Sequence, residues 1–283
     1  MKRREFMQRL GKGMAAMALP VSAAVGKPAC LMPVLFVGHG TPMNAIEDSP
    51  FSRAWAAVAQ ALSRPKVILV ISAHWETDGV QVTAMPKPRT IHDFYGFPPE
   101  LFAVRYPAPG APELVRRVRD VLGAENVGSD QAWGLDHGTW SVLVRMFPKP
   151  EIPVVQLSLD RKRTPAEHYA LAGKLAALRA EGVLIIGSGN IVHNLRLLEW
   201  GDRGFDWAEA FDLKLKGLIE ARDHAALVAY PKLGSDALRA IPTNEHYLPL
   251  LYALALRGPA EPLQFFAEKV TLGSISMRSF QIG

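Results

Sequence analysis

Cysteine is almost missing from this sequence: Cys30 is the sole example among 283 residues. A single thiol rules out an intrachain disulfide framework and any site built on several cysteines. A metal held by this chain must therefore rely on His, Asp and Glu. Long apolar runs are missing too, and no stretch reaches the roughly 18–20 residues that a membrane-spanning helix needs. Charge of one sign is also scarce, since 32 Lys and Arg face 27 Asp and Glu for a formal net charge of +5. Most of that excess lies at the N-terminus, where Lys2, Arg3, Arg4, Arg9 and Lys12 outweigh Glu5. The rest of the chain carries no basic stripe, which argues against nucleic acid as a partner.

The basic leader has its own pattern. Arg3-Arg4 precedes Phe6, the stretch Gly13 to Val25 is small and apolar, and Ser22-Ala23-Ala24 offers a small-residue cleavage site. This resembles a twin-arginine export signal, a route for proteins folded before export. A basic extension without that role is the alternative. Residues 1–28 are accordingly set apart from the folded domain expected over 29–283. An export signal implies a periplasmic protein, and its absence a cytoplasmic one.

Beyond the leader, short apolar runs rich in β-branched residues alternate with helix-like stretches. Strands are expected at Val34–Val37, Lys66–Ser72, Val80–Met85, Pro153–Leu157, Gly182–Ile186 and Gly273–Phe280. Val67-Ile68-Leu69-Val70-Ile71 and Val183-Leu184-Ile185-Ile186 are apolar at every position, as strands covered on both faces of a parallel sheet must be. Helices are expected at Pro50–Leu62, Ala111–Leu122, Gly138–Met146, Pro165–Ala180, Trp207–Ala221 and Glu245–Leu256, with starts at Thr164-Pro165 and Asn244. Without a repeat, low-complexity tract or long linker, the pattern predicts one α/β domain. Its central sheet should be mostly parallel and flanked by helices.

Within that frame, three histidines fall just past expected strands. His39 follows Val37 inside Gly38-His39-Gly40, His74 follows the buried run ending at Ile71, and His193 follows the loop Gly187-Ser188-Gly189-Asn190. Open parallel sheets bind ligands beyond the carboxyl ends of their strands. One histidine there is unremarkable, because buried imidazoles commonly bond to backbone. Three predict a metal site, imidazole being the common nitrogen ligand of Zn and Fe. His246 is a fourth candidate, expected in the first turn of a helix where the dipole disfavours imidazolium. Its neighbour Glu245 is a rival, since two His and a carboxylate also make an iron site. His137, between Asp136 and Gly138, suits a ligand, a general base or a helix cap. His92 lies in an aromatic loop suited to packing or to walling a planar substrate, whereas His168 and His224 read as ordinary helix residues.

Several of these stretches together resemble the 4,5-DOPA dioxygenase extradiol family, within the class III extradiol dioxygenases. They are Gly38-His39-Gly40-Thr41-Pro42-Met43, Ser72-Ala73-His74-Trp75, Asp93-Phe94-Tyr95-Gly96-Phe97-Pro98, Gly134-Leu135-Asp136-His137-Gly138, Gly187 to Asn194, and His246-Tyr247-Leu248-Pro249. The likeness runs from about Val34 to the C-terminus and makes 29–283 an extradiol dioxygenase-like catalytic domain. It implies metal ligation by His39, His74, His193 and His246, with His137 beside a bound catechol. It also implies ring opening of a catechol such as L-DOPA by O2. Fe(II) is the ion expected for oxygen chemistry, and Zn(II), found in bacterial members, has no accessible redox change. A zinc hydrolase using Glu245 or Glu76 as base, and a non-catalytic metal-binding relative, are the alternatives.

Overall fold

The computed structural model describes residues 31–283, so the leader, its cleavage site and Cys30 lie outside the described residues. The strands are β1 (Val34–Gly38), β2 (Val67–Thr77), β3 (Val80–Thr83), β4 (Val127–Asp130), β5 (Val154–Asp160), β6 (Val183–Gly189), β7 (Leu263–Phe266), β8 (Val270–Thr271), β9 (Ile275–Ser276) and β10 (Ser279–Ile282). The helices are α1 (Pro50–Ala61), α2 (Pro99–Ala103), α3 (Pro112–Leu122), α4 (His137–Met146), α5 (Pro165–Gly173), α6 (Ala176–Ala180), α7 (Asp206–Glu220), α8 (His224–Val228), α9 (Ser235–Ala240) and α10 (Leu248–Ala255).

Eight strands form one sheet in the order β4-β3-β5-β2-β6-β1-β10-β7. Its centre is parallel, with β2 between β5 and β6 and β6 beside β1. Antiparallel pairing occurs at β3 with β5 and where β10 joins β1 and β7. The all-apolar runs are explained by two cores, one on each face. Val34, Phe36, Leu69, Ile71, Val183 and Ile185 enter one core, and their alternating neighbours Leu35, Val37, Ile68, Val70, Leu184 and Ile186 enter the other. Each such side chain contributes roughly 1.5–3 kcal/mol on full burial, so the central strands fix the sheet.

Helix starts follow local chemistry. Thr164 caps α5 in a reciprocal box with Glu167, and Ser49 does the same for α1 with Ser52. The single helix expected over 165–180 is instead two. Past Gly173 the bonds Lys174 N–H to Leu171 O and Leu175 N–H to Ala172 O tighten the chain and end the regular α ladder. The last helix begins at Leu248, not near Asn244. Asn244 O accepts from both Tyr247 N–H and Leu248 N–H, closing a turn that leaves His246 ahead of the helix. The strand expected over 273–280 also divides: Ile275–Ser276 pairs with β8, while Ser279–Ile282 enters the large sheet.

Candidate metal centre

Strands β1, β2 and β6 and one turn bring the histidines together. His39 leaves β1 directly, its N–H donating to Gly189 O at the end of β6. His74 lies within β2, which runs further than expected. The register of β2 against β5 slips between Ile71 and Glu76, and His74 sits in that irregular stretch. His193 stands four residues past β6, its N–H bonded to Ala240 O. His246 is seated on the end of β6, where Asn190 N–H donates to His246 O at 2.8 Å. Gly189 makes that approach possible, since a Cβ there would lie 2.1 Å from His246 O.

The ligand-capable nitrogens of His39, His74 and His246 all lie within 4.8 Å of one another. Hydrogen bonds to His39 and His246, and a carboxylate facing His74, set which nitrogen each ring turns inward. The Ser188 hydroxyl donates to Gly138 O, so it accepts from Nδ1–H of His39 at 3.0 Å. Glu245 Oε1 accepts from Nδ1 of His246 at 2.9 Å, and Asp93 Oδ2 lies 3.4 Å from Nδ1 of His74. With the Nδ1 protons of His39 and His246 so held, their Nε2 atoms are left with bare lone pairs, and the Asp93 carboxylate near Nδ1 of His74 favours the same tautomer there. His39 Nε2 and His74 Nε2 face each other at 3.1 Å, and His246 Nε2 is buried without a hydrogen-bond partner. Converging lone pairs and an orphaned buried nitrogen are what a cation resolves, so the donor set fits a divalent metal.

Protonation does not resolve them. Burial first, and then the charges of neighbouring imidazoles, hold His39, His74 and His246 well below the ordinary imidazole value. His246 itself lies just ahead of α10 and not in its first turn. His193 lines the same cavity as His39, His74 and His246. Its ring stacks on His246 at 3.5 Å between centroids and 7° between planes, and it groups with Glu245 and His246 rather than with His39 and His74. Burial and the charge of His137 bring its pKa down to about 4.

His137 opens α4, with Asp136 as the N-cap. Its backbone N–H donates to Asp93 Oδ1 and its Nδ1 to Asp93 Oδ2, both at 2.9 Å. Burial raises the Asp93 carboxyl, but these two donors and the nearby His74 outweigh it and hold the group below the usual carboxylate range. Beneath them the buried Asp136 carboxylate accepts from Ser72 Oγ, Gln156 Nε2 and Trp133 Nε1, which ties α4 to β2 and β5. Burial, then the charge of Asp93, raises its carboxyl above the usual range.

The roles of Asp93 and Ser188 are not signalled by spacing, because their partners lie 44 and 149 residues away in the chain. Glu76 ends up half-buried on β2, outside the histidine groups. Its carboxyl is raised by burial and by Glu245. His92 packs on Phe94, Phe102 and Trp140 and bonds to Val104 O, so it serves the aromatic loop from behind. His168 is held between Tyr252 Oη and Asp160 O, and His224 by Tyr169 Oη.

The histidines form the floor of a cavity of about 410 Å³ whose outer wall includes Phe94, Phe97, Leu198, Trp200, Leu272 and Ile275. That volume suits one substituted aromatic ring.

Residues 33–279 match the family described as the catalytic LigB subunit of aromatic ring-opening dioxygenase. The chain belongs to the LigB family. It is an aromatic ring-opening dioxygenase of the extradiol kind, which displaces the hydrolase and binding-module alternatives. It is 46% identical over 258 residues to the 4,5-DOPA dioxygenase extradiol of Escherichia coli K12, covering 89% of this chain and 95% of that one. Against the Beta vulgaris protein of the same name the identity is 38%, over 87% and 94% of the two chains. A crystal structure of an uncharacterized Escherichia coli K12 protein superposes with a TM-score of 0.78 at 42% identity, covering 89% of this chain and all of that one. LigB dioxygenases are metal-dependent, in keeping with the histidine-rich floor of this cavity.

Proposed function

We propose that this LigB enzyme opens the ring of a 4-substituted catechol beside its two hydroxyls, with Fe(II) held by His39, His74 and His246. The catechol class is suggested by relatives named 4,5-DOPA dioxygenase extradiol. The observation that carries the ligand assignment is the inward convergence of three Nε2 atoms, with Nδ1 of His39 and His246 hydrogen-bonded to Ser188 and Glu245 and Nδ1 of His74 facing the Asp93 carboxylate. Bound Fe(II) supplies a redox-active centre at which catechol and O2 are held together, a role that redox-inert Zn(II) cannot fill.

The protein's own part is proton handling, orientation and exclusion of water. Asp93 accepts the Nδ1 proton of His137, which leaves His137 Nε2 as a base toward the cavity. The residue takes a catechol hydroxyl proton there, and the carboxylate of Asp93 stabilises the resulting imidazolium. His137 then returns the proton as the ring opens. Phe94, its ring 5.5 Å from that of His137 and nearly perpendicular to it, closes the side of the cavity and limits water. His193, neutral and stacked on His246, presents a second imidazole to the substrate rather than a fourth inward Nε2.

Anaerobic Fe(II) titration tests the assignment. One ion should bind per chain, and His246→Ala should weaken binding about 100-fold or more whereas His193→Ala should not. Equal loss in both variants would return His193 to the ligand set.

A further inference from the structure

The cavity that holds the histidines has walls of two kinds. Its floor is imidazole and carboxylate, and its outer part is apolar. Phe94, Phe97, Leu198, Trp200, Leu272 and Ile275 face it, and among the described residues no Lys or Arg does. Three side chains at its mouth are left largely in water: Tyr95 at 92%, Trp200 at 84% and Leu195 at 62% exposure. Such apolar surface next to a small-molecule cavity marks a place where a ligand group is covered. Arg196 lines a second, smaller cavity that shares His193 and Leu195 with the first, and Glu245 accompanies it there. The carboxylate in the main cavity, Asp93, is already engaged by His137.

A 4-substituted catechol whose hydroxyls reach the histidine floor directs its substituent toward this apolar mouth. L-DOPA would bring an ammonium and a carboxylate there. Among the described residues lining this cavity, the carboxylate would find neutral donors such as the Tyr95 and Thr41 hydroxyls, and it would feel the negative charge of Asp93. Removing a charge from water without a partner is costly, whereas covering an alkyl chain is favourable. We infer that this enzyme prefers catechols with an apolar 4-substituent, such as an alkyl chain, over the zwitterionic amino acid that its relatives are named for. This inference rests on the catechol-dioxygenase reading of the same site.

The test is O2 uptake by the Fe(II)-loaded full chain with 4-propylcatechol, dopamine, 3-(3,4-dihydroxyphenyl)propionate and L-DOPA, paired with anaerobic calorimetry of their binding. The expected result is that 4-propylcatechol exceeds the propionate and L-DOPA about tenfold or more in kcat/KM, through KM, with the same ranking in Kd. Leu195→Arg, at an exposed wall position, should raise the propionate relative to 4-propylcatechol about tenfold. Equal or better turnover of L-DOPA or the propionate by the natural enzyme overturns the preference while leaving the catechol reading intact. Dopamine in first place overturns it too, by showing that the Tyr95 and Trp200 faces recognise a cation. A ratio unmoved by Leu195→Arg shows that the substituent does not meet this wall and overturns the inference. Uptake with none of the four sinks the catechol reading itself and the preference with it.

Discussion

Asp93 grips His137 at two points, its Oδ1 accepting the backbone N–H and its Oδ2 the ring Nδ1, each at 2.9 Å. The same Oδ2 lies 3.4 Å from Nδ1 of His74. One carboxylate thus fixes the tautomer of the proposed base and faces a proposed ligand.

Asp93→Asn retains the shape but replaces an anionic acceptor with an amide. We expect kcat to fall about 100-fold or more with a smaller change in KM, because the imidazolium formed on His137 loses its counter-charge. Steady-state kinetics on equally metal-loaded proteins would check this. A change confined to KM would show that Asp93 serves substrate binding instead.

A glycine supplies the second prediction. Gly189→Ala would place a Cβ 2.1 Å from His246 O, so either β6 or the turn before α10 must move. The expected cost is about 3 kcal/mol or more, with weaker Fe(II) binding although no ligand is altered. Gly217→Ala, in α7 with nothing within 4 Å of the added carbon, is the matched control and should be neutral or stabilising. Denaturant melts of the two variants distinguish local obstruction from a general intolerance of alanine.

The apolar runs of β1, β2 and β6 identify a sheet buried on both faces, and His39, His74 and His193 fall past such runs. The length of β2 was hidden because Ala73-His74-Trp75-Glu76 loses the apolar pattern where its register slips. The split of the 273–280 segment depends on two different partner strands, and no local pattern records that. The placing of His193 beside Glu245 and against the His246 ring is likewise tertiary. The anchors Ser188 and Asp93 are side chains from other elements, and only the folded chain brings them to Nδ1.

The third prediction concerns acid. His193 has its pKa lowered from 6.5 to about 4, and His39, His74 and His246 are also held below 6.5. Between pH 6.5 and about 4 the unfolded chain therefore binds more protons than the folded one, so stability falls as the pH drops through that window. Above pH 6.5 this contribution is fully present. Chelator-treated protein should lose Tm steadily over the window, and His193→Gln should lose less, by about 2–3 kcal/mol at its acid end. Parallel acid profiles for the two proteins would contradict the burial of a neutral His193.

The most direct test of the central claim is O2 consumption by Fe(II)-reconstituted enzyme given a 4-substituted catechol. The account predicts one O2 consumed per catechol, a yellow ring-opened semialdehyde product, and loss of both on His39→Ala. Tight Fe(II) binding by the natural enzyme with no catechol-dependent O2 uptake would contradict it.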